Sequence, residues 1–355
     1  MIRPRPLGET GRNISEIGFG TFPLSRSAGP PNDSNRRDPT RLAASPTDAV
    51  AGAPEAAPEP ALEAALEAAL EAGIRYIDVC QGEDVCERTV ARVLAEVDPG
   101  GAILVASKSE PAAGPTPLSP YCRWQDRYGP AYLRDDVHRR LERLGRESLG
   151  LHLLAAWTRA WSDDPQPLVI LRRMKEEGKL ALVGLCAPPH DPNCVIPLMH
   201  NGLVDVVEVP FNLLRQDAAA QLLPVAAETG TGVIVRAALE HGVLAGKYSA
   251  EHVFAEDDFR RHYFAGDRLG RATERVERIG QDVAQFGLDA RYSLRDVAIK
   301  FALSRPEVSC VVVGMRSAAQ VKQNAASAAL PELPEALQHV LRRHHWPRDD
   351  WSTGK

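Results

Sequence analysis

Short runs of apolar, mostly β-branched residues alternate along this chain with longer stretches in which apolar positions recur every three or four residues. A short apolar run bounded by turn residues reads as a strand buried on both faces, whereas the wider spacing reads as an amphipathic helix. Eight runs fit the first description: ISEIGFG (14–20), RYIDVC (75–80), AILVAS (102–107), LGLHLLAA (149–156), LALVGLC (180–186), VDVVEV (204–209), GVIVRAAL (232–239) and VSCVVVGM (308–315). Between them lie the helical patterns ALEAALEAALEAG, CERTVARVLAEV, AYLRDDVHRRLERLG, PLVILRRMKEEGKL, CVIPLMHNG, DAAAQLLPVAAETG, a long piece from Asp257 to Arg305, and SAAQVKQNAASA. Several close on glycine, which takes the left-handed conformation that ends a helix. The Leu and Ala of 62–70 form a core-facing stripe.

Eight strands, each followed by a helix, predict an α/β fold, a closed (β/α)8 TIM barrel with its active site at the C-terminal strand ends. The opening IRPRPLGETGRNIS, with its turn-like GETGRN, predicts a β-hairpin plugging the other end. The chain, 1–355, is read as a single barrel, and residues 25–58, crowded with Pro, Ala, Ser, Gly and Asp, as a flexible insertion in it. A second long piece, GKYSAEHVFAEDDFRRHYFAGDRLG, follows the seventh strand and carries aromatics placed to fold over a ligand.

Composition narrows the function. At 44% hydrophobic and 25% charged, the chain has ample apolar surface for a core. A formal charge of -5 argues against a nucleic-acid partner. No apolar run is long enough for a membrane span and no apolar stretch follows the basic N-terminus, so the expected location is the cytoplasm. Cysteines 80, 86, 122, 186, 194 and 310 show no metal-ligand spacing, which suits reduced thiols and no metal site.

Taken together and in order, RPLGETGRNISEIGFGTF, Asp78 at a strand end, VASK, EEGKLALVGL, VEVPFNLL, GVIVRAALEHGVLAGKY and VVVGMRSAAQVKQN resemble the aldo-keto reductase superfamily over nearly the whole chain. The resemblance implies a barrel that binds NADP(H) in an extended pose and passes hydride between the nicotinamide and a carbonyl carbon of a small-molecule substrate. It also implies a tyrosine proton donor tuned by lysine, aspartate and histidine. Asp78 matches the aspartate and Lys108 the lysine. The tyrosine position falls at Glu83, in a loop two residues short if Glu87 is the glutamate opening the next helix, and the histidine position falls at Ala155. His152, three residues away along its strand, faces the opposite side and is expected to pack against a helix.

The catalytic set implied is therefore Asp78, Lys108 and Glu83. Implied cofactor contacts are Gly20 and Thr21, Cys186 in place of a carboxamide-holding serine, Glu208 in place of a glutamine, Arg236 where an aromatic often stacks, and Leu239. Gly314, Met315, Arg316, Ser317, Gln320, Gln323 and Asn324 keep the pattern that holds the adenine end, and Arg316 with Ser317 at a helix start suits a 2′-phosphate. Tyr121, Trp124, Tyr128 and Tyr132 are candidate pocket walls, one of the tyrosines a candidate substitute acid. Three functions stay open: an NADP(H)-dependent oxidoreductase with a changed donor, a non-redox enzyme (lyase, dehydratase, epimerase or cyclase) using the same acid/base groups, and a silent NADP(H)-binding barrel.

Overall fold

The computed structural model describes residues 2–22, 59–79, 84–114, 118–256 and 258–348. The insertion at 25–58, together with Cys80 and Glu83, lies outside the described residues. Eight parallel strands close into a barrel: β3 (Ile17–Gly20), β4 (Tyr76–Asp78), β5 (Leu104–Ser109), β6 (Leu151–Leu154), β7 (Val183–Cys186), β8 (Val206–Pro210), β9 (Gly232–Arg236) and β10 (Val308–Gly314), with β10 pairing back onto β3.

The first apolar run is not one strand. Its start forms β2 (Asn13–Ser15), which pairs antiparallel with β1 (Pro4–Pro6), and only Ile17–Gly20 enters the barrel. The break at Ser15–Glu16 has a local cause: the Ser15 hydroxyl donates to the Ile17 carbonyl at 2.7 Å and accepts from the Arg75 amide at 2.8 Å, competing with the ladder. The hairpin covers the N-terminal end of the barrel, sending fully buried Leu7 and Ile14 into the interior cluster. Its turn approaches the start of β9 so closely that a Cβ on Gly8, at φ +53°, would lie 2.2 Å from the Gly230 carbonyl oxygen, which only glycine avoids.

Helices wrap the outside. Helix α1 (Glu59–Glu71) buries Leu62, Ala65, Leu66, Ala69 and Leu70, the stripe expected from its spacing. It is followed by α2 (Asp84–Val97), α3 (Trp124–Tyr128), α4 (Pro130–Leu144), α5 (Gln166–Glu176), α6 (Ile196–His200) and α7 (Leu222–Thr229). The long helical piece after β9 divides into α8 (Phe259–Tyr263), α9 (Arg268–Gln285) and α10 (Leu294–Leu303). Gly266 and Gly287, both at φ +66°, sit in the two breaks, and a Ser293–Asp296 capping box starts α10 afresh. Helix α11 (Ala318–Ala329) and then α12 (Glu335–Leu341) follow β10.

Alternation along β5 sends residues to opposite sides: Leu104 and Ala106 join the barrel interior, while Ser107 and Ser109 face the helices. There, His152 on β6 is fully buried between two hydroxyls, Nδ1 at 2.7 Å from Ser107 Oγ and Nε2 at 2.8 Å from Ser109 Oγ. Because Ser109 donates its own hydrogen to Asp136 Oδ2 at 2.6 Å, its oxygen must accept from the ring, which assigns a neutral Nε2–H imidazole. Asp136 in turn takes the Arg140 guanidinium at 3.0 Å, and Arg140 pairs with buried Glu87. Burial and the Arg140 charge push the His152 pKa down to about 3.

A histidine depressed in the folded state contributes stability that is intact above its unfolded value of about 6.5 and is lost as pH falls toward the folded value. Acidification from pH 7 to pH 5 should therefore remove about 2 kcal/mol through His152 alone. Denaturant midpoints at the two pH values check this. His152→Gln, which does not titrate, should show a clearly shallower pH slope than wild type, and equal slopes would remove the assignment.

Candidate active site

The interior positions at the C-terminal rim carry ionisable groups. Asp78 ends β4 and pairs in register with Ala106, so Lys108 stands one pleat above it on the next strand. The lysine bends back, placing Nζ 2.9 Å from Asp78 Oδ2. From across the barrel, Glu208 on β8 brings Oε1 to 3.0 Å and Oε2 to 2.8 Å of the same nitrogen. The ammonium thus makes three contacts, all to carboxylate oxygens. Arg236 at the end of β9 lies beyond, its Nε 3.6 Å from Glu208 Oε1 and a terminal nitrogen donating to the Ala187 carbonyl at 3.2 Å. Asp78, Lys108 and Glu208 are 9%, 6% and 1% exposed, so solvent screens the cluster little.

Enclosure sets the charge states. Burial opposes the Lys108 ammonium, but Asp78 and Glu208 outweigh it and hold the proton more firmly than usual. Burial raises the Asp78 pKa; Lys108 opposes the rise, Glu208 adds to it, and the net shift is upward. Cys186, beside Glu208 in the ladder, is pushed up to about 12 by burial and by that carboxylate, so it presents a neutral thiol. Tyr76, one pleat below Asp78, is fully buried, and its phenol is raised by burial and by Asp78. Neither the Tyr76 hydroxyl nor Asp78 Oδ1 meets a hydrogen-bond partner among the described residues.

The expected cofactor contacts divide. Gly20 pairs with Asp78, and the fully buried Thr21 donates its amide to the Asp78 carbonyl at 3.1 Å. Glu208 is engaged by Lys108 and Arg236. At the other end, Gly314 closes β10, Met315 is buried, and Arg316 and Ser317 are exposed at the start of α11. Ser317 caps that helix, accepting from the Gln320 amide at 3.3 Å, while the Gln320 side chain accepts from the Arg316 amide at 2.7 Å. Gln323 accepts from Arg295 at 3.2 Å, and Asn324 is buried.

Residues that sequence reasoning missed cluster beside these. In the segment after β9, Arg260 clasps Asp258 at 2.8 Å and donates to the Tyr248 hydroxyl at 2.6 Å, and Phe259 meets Phe22 edge-on at 5.6 Å. Burial, then repulsion from Arg295, Arg316 and Arg260, lowers the Lys247 pKa. Leu239, half-buried, lies in a turn where Ala237, Glu240 and His241 adopt φ of +54°, +44° and +55°, a strained region for side-chain-bearing residues. Buried Glu240 pins this turn, accepting from Asn212 and from the Tyr263 hydroxyl at 2.6 Å each and pairing with Arg348 near the C-terminus. The aromatics of that segment were the available signal; nothing local announces Arg348.

Of the candidate pocket walls, Tyr128 and Tyr132 use their hydroxyls on the backbone, donating to Ser109 O at 3.3 Å and Glu110 O at 2.8 Å, while Trp124 donates to Asp164 at 2.7 Å. Tyr121 is 93% exposed. Ala155 follows β6 and supplies only a backbone amide, to Ser109 O at 2.9 Å.

Comparison with known proteins agrees with this geometry. The chain is similar to L-galactose dehydrogenase from Arabidopsis thaliana, 25% identical over 365 residues, covering 98% of this chain and 97% of that protein. It is also similar to NADH-specific methylglyoxal reductase from Escherichia coli, 22% identical over 207 residues, a match spanning 56% of this chain and 60% of the reductase. Among solved structures, an aldo-keto reductase from Bacillus halodurans in its holo form superposes with a TM-score of 0.70 at 18% identity, over 97% of each chain. The glycerol dehydrogenase of Gluconobacter oxydans gives 0.68 at 18% identity, over 96% of this chain and 94% of that one. The family model described as Aldo/keto reductase family matches residues 47–339, and with the closed barrel and its rim lysine it establishes that this chain belongs to the aldo/keto reductase family.

Proposed function

We propose that the protein is an NADP(H)-dependent oxidoreductase acting on a carbonyl or alcohol of a small metabolite. The observation that carries this reading is the buried Lys108 ammonium, 2.9 Å from Asp78 at the rim where this family places its chemistry. When bound, the nicotinamide nucleotide supplies or accepts hydride. The protein's own part is to place the substrate oxygen beside the Asp78–Lys108 pair, exclude water, and manage one proton and the charge on that oxygen.

The phosphate end of the site fits such a group. Lys247, Arg260, Arg295 and Arg316 gather around Asp258 and Asp296, leaving two positive charges in excess, and the mutual repulsion shows in the lowered Lys247 and Arg316 pKa values, where burial is the first cause. An anion at the start of α11 would relieve it. That excess favours NADP(H) over NAD(H), although the E. coli relative is named NADH-specific. At the ring end, Cys186 offers a neutral thiol and Glu208 is occupied, so the ring would be held mainly by Arg236 and the strand ends. Free thiols at Cys86, Cys122, Cys186, Cys194 and Cys310 accord with a reducing, cytoplasmic setting.

Mixing the protein with NADPH should give blue-shifted nucleotide fluorescence, and none at high protein concentration would eliminate this reading. Arg316→Ala should weaken NADPH roughly 10-fold or more by removing a charge-assisted contact while leaving NADH affinity nearly unchanged. Equal losses for both nucleotides would place Arg316 outside the 2′-phosphate site. Lys108→Met should abolish turnover of a carbonyl panel and, by stranding two buried carboxylates, cost about 3 kcal/mol or more at neutral pH; unchanged turnover would remove Lys108 from the catalytic set. NADPH binding without consumption across the panel would favour the non-redox reading.

A further inference from the structure

Building on that oxidoreductase reading, we propose that Arg348 is a positioning residue for the nicotinamide nucleotide: through Glu240 it fixes the turn after β9 that joins the ring end of the site to its phosphate end. The turn begins at Arg236, whose Nε lies 3.6 Å from Glu208 Oε1 and which donates to the Ala187 carbonyl at 3.2 Å. It runs to Lys247, whose pKa is lowered first by burial and then by Arg295, Arg316 and Arg260 around it. Midway, a Cβ on Gly242 would lie 3.1 Å from the Tyr248 hydroxyl, the group that Arg260 holds at 2.6 Å. Both ends of the site are thus reached from one stretch of backbone, and its shape sets how far apart they stand.

That shape is not one the chain adopts unaided. Ala237, Glu240 and His241 have φ of +54°, +44° and +55°, which residues with side chains keep only where their surroundings over-determine it. The surroundings converge on the Glu240 carboxylate, which is 1% exposed. Asn212 donates to its Oε2 at 2.6 Å and to the Ala237 carbonyl at 2.9 Å, and the Tyr263 hydroxyl donates to Oε1 at 2.6 Å. Those two donors are neutral. The charge is met by Arg348, which donates to the same Oε1, with Arg215 adding its own charge while it holds the Pro189 carbonyl at 2.8 Å. Burial alone would raise the Glu240 pKa, but Arg348 and then Arg215 outweigh it and bring it down to about 2, so the anion is present at any working pH.

Arg348 can hold that anion because the segment carrying it is itself seated. Asp282 on α9 accepts from Arg343 at 3.1 Å and from the His344 ring at 2.7 Å. The His345 ring accepts from the Gln216 amide at 3.1 Å, and Trp346 donates its amide to the Leu214 carbonyl at 2.9 Å. Trp346 is buried, and the Arg348 guanidinium lies 4.8 Å from its ring centroid. Leu214 and Gln216 belong to the loop after β8 that also supplies Asn212, so the segment and the turn share one support. By reciprocity, a nucleotide that needs the turn in this shape must tighten Arg348 on Glu240 as much as Arg348 tightens the turn on the nucleotide.

The test compares wild type with Arg348→Met, Glu240→Gln and the double variant. A glutamine at 240 accepts from Asn212 and donates to the Tyr263 oxygen, so the double variant removes the buried pair together and should fold even if Arg348→Met alone does not. Fluorescence titration should show NADPH and NADH both bound roughly 10-fold more weakly in each single variant, unlike Arg316→Ala, which acts on NADPH alone. The double variant should lose no more than the weaker-binding single one, because the two residues act as one unit. With a substrate from the carbonyl panel, KM for the nucleotide should rise while turnover at saturation holds, since Asp78 and Lys108 are untouched. In wild type, NADPH should slow hydrogen exchange across 341–348, and this protection should shrink in Glu240→Gln. Losses that simply add in the double variant would overturn the proposal, as would nucleotide binding to wild type that leaves exchange at 341–348 unmoved. Failure of wild type to bind either nucleotide would sink the oxidoreductase reading and this proposal together, whereas binding that survives undiminished in every variant defeats this one alone.

Discussion

An ammonium enclosed within a barrel and flanked by two carboxylates is the constraint on which the rim of this protein depends. Lys108 cannot leave Asp78 and Glu208 without stranding buried charge on both sides, and neither carboxylate can be relocated without changing what the other experiences. Because β4, β5 and β8 each contribute one member, the cluster also reports that the barrel has closed in the right register. Slipping β5 by one residue would send the lysine outward toward the helices.

The outward faces of the same strands hold a second polar system, kept apart from the first by the strand itself. His152, Ser107, Ser109, Asp136, Arg140 and Glu87 join β5 and β6 to α4 and α2 through contacts that satisfy each member. One network is satisfied throughout; the other keeps one oxygen of Asp78, one of Glu208 and the Tyr76 hydroxyl without a hydrogen-bond partner among the described residues.

A neutral thiol at 186 and a carboxyl group at 208 stand near Asp78, and Glu208 turns toward Lys108, a charged donor within reach. The strained turn at 237–241 is held from outside by Arg348, so the C-terminal segment supports the rim although it contributes nothing to the barrel.

Periodicity determined the eight strands and the Leu and Ala stripe of α1, and the turn residues GETGRN the hairpin, since each depends on residues close in sequence. It also placed Asp78 and Lys108 at strand ends, and the resemblance named them. The break inside the run 14–20 and the division of 257–305 into three helices were less legible, because a single serine hydroxyl or glycine turn decides them against an unbroken apolar pattern. Only the tertiary structure decided that Glu208 pairs with Lys108, one hundred residues away, that Arg260 and Lys247 join Arg316, and that Arg348 clasps Glu240. Those pairings follow from the circumference and register of a closed barrel and from loops folding across its mouth. They cannot be read locally, since their energy arises only when distant charges are shut away from water together.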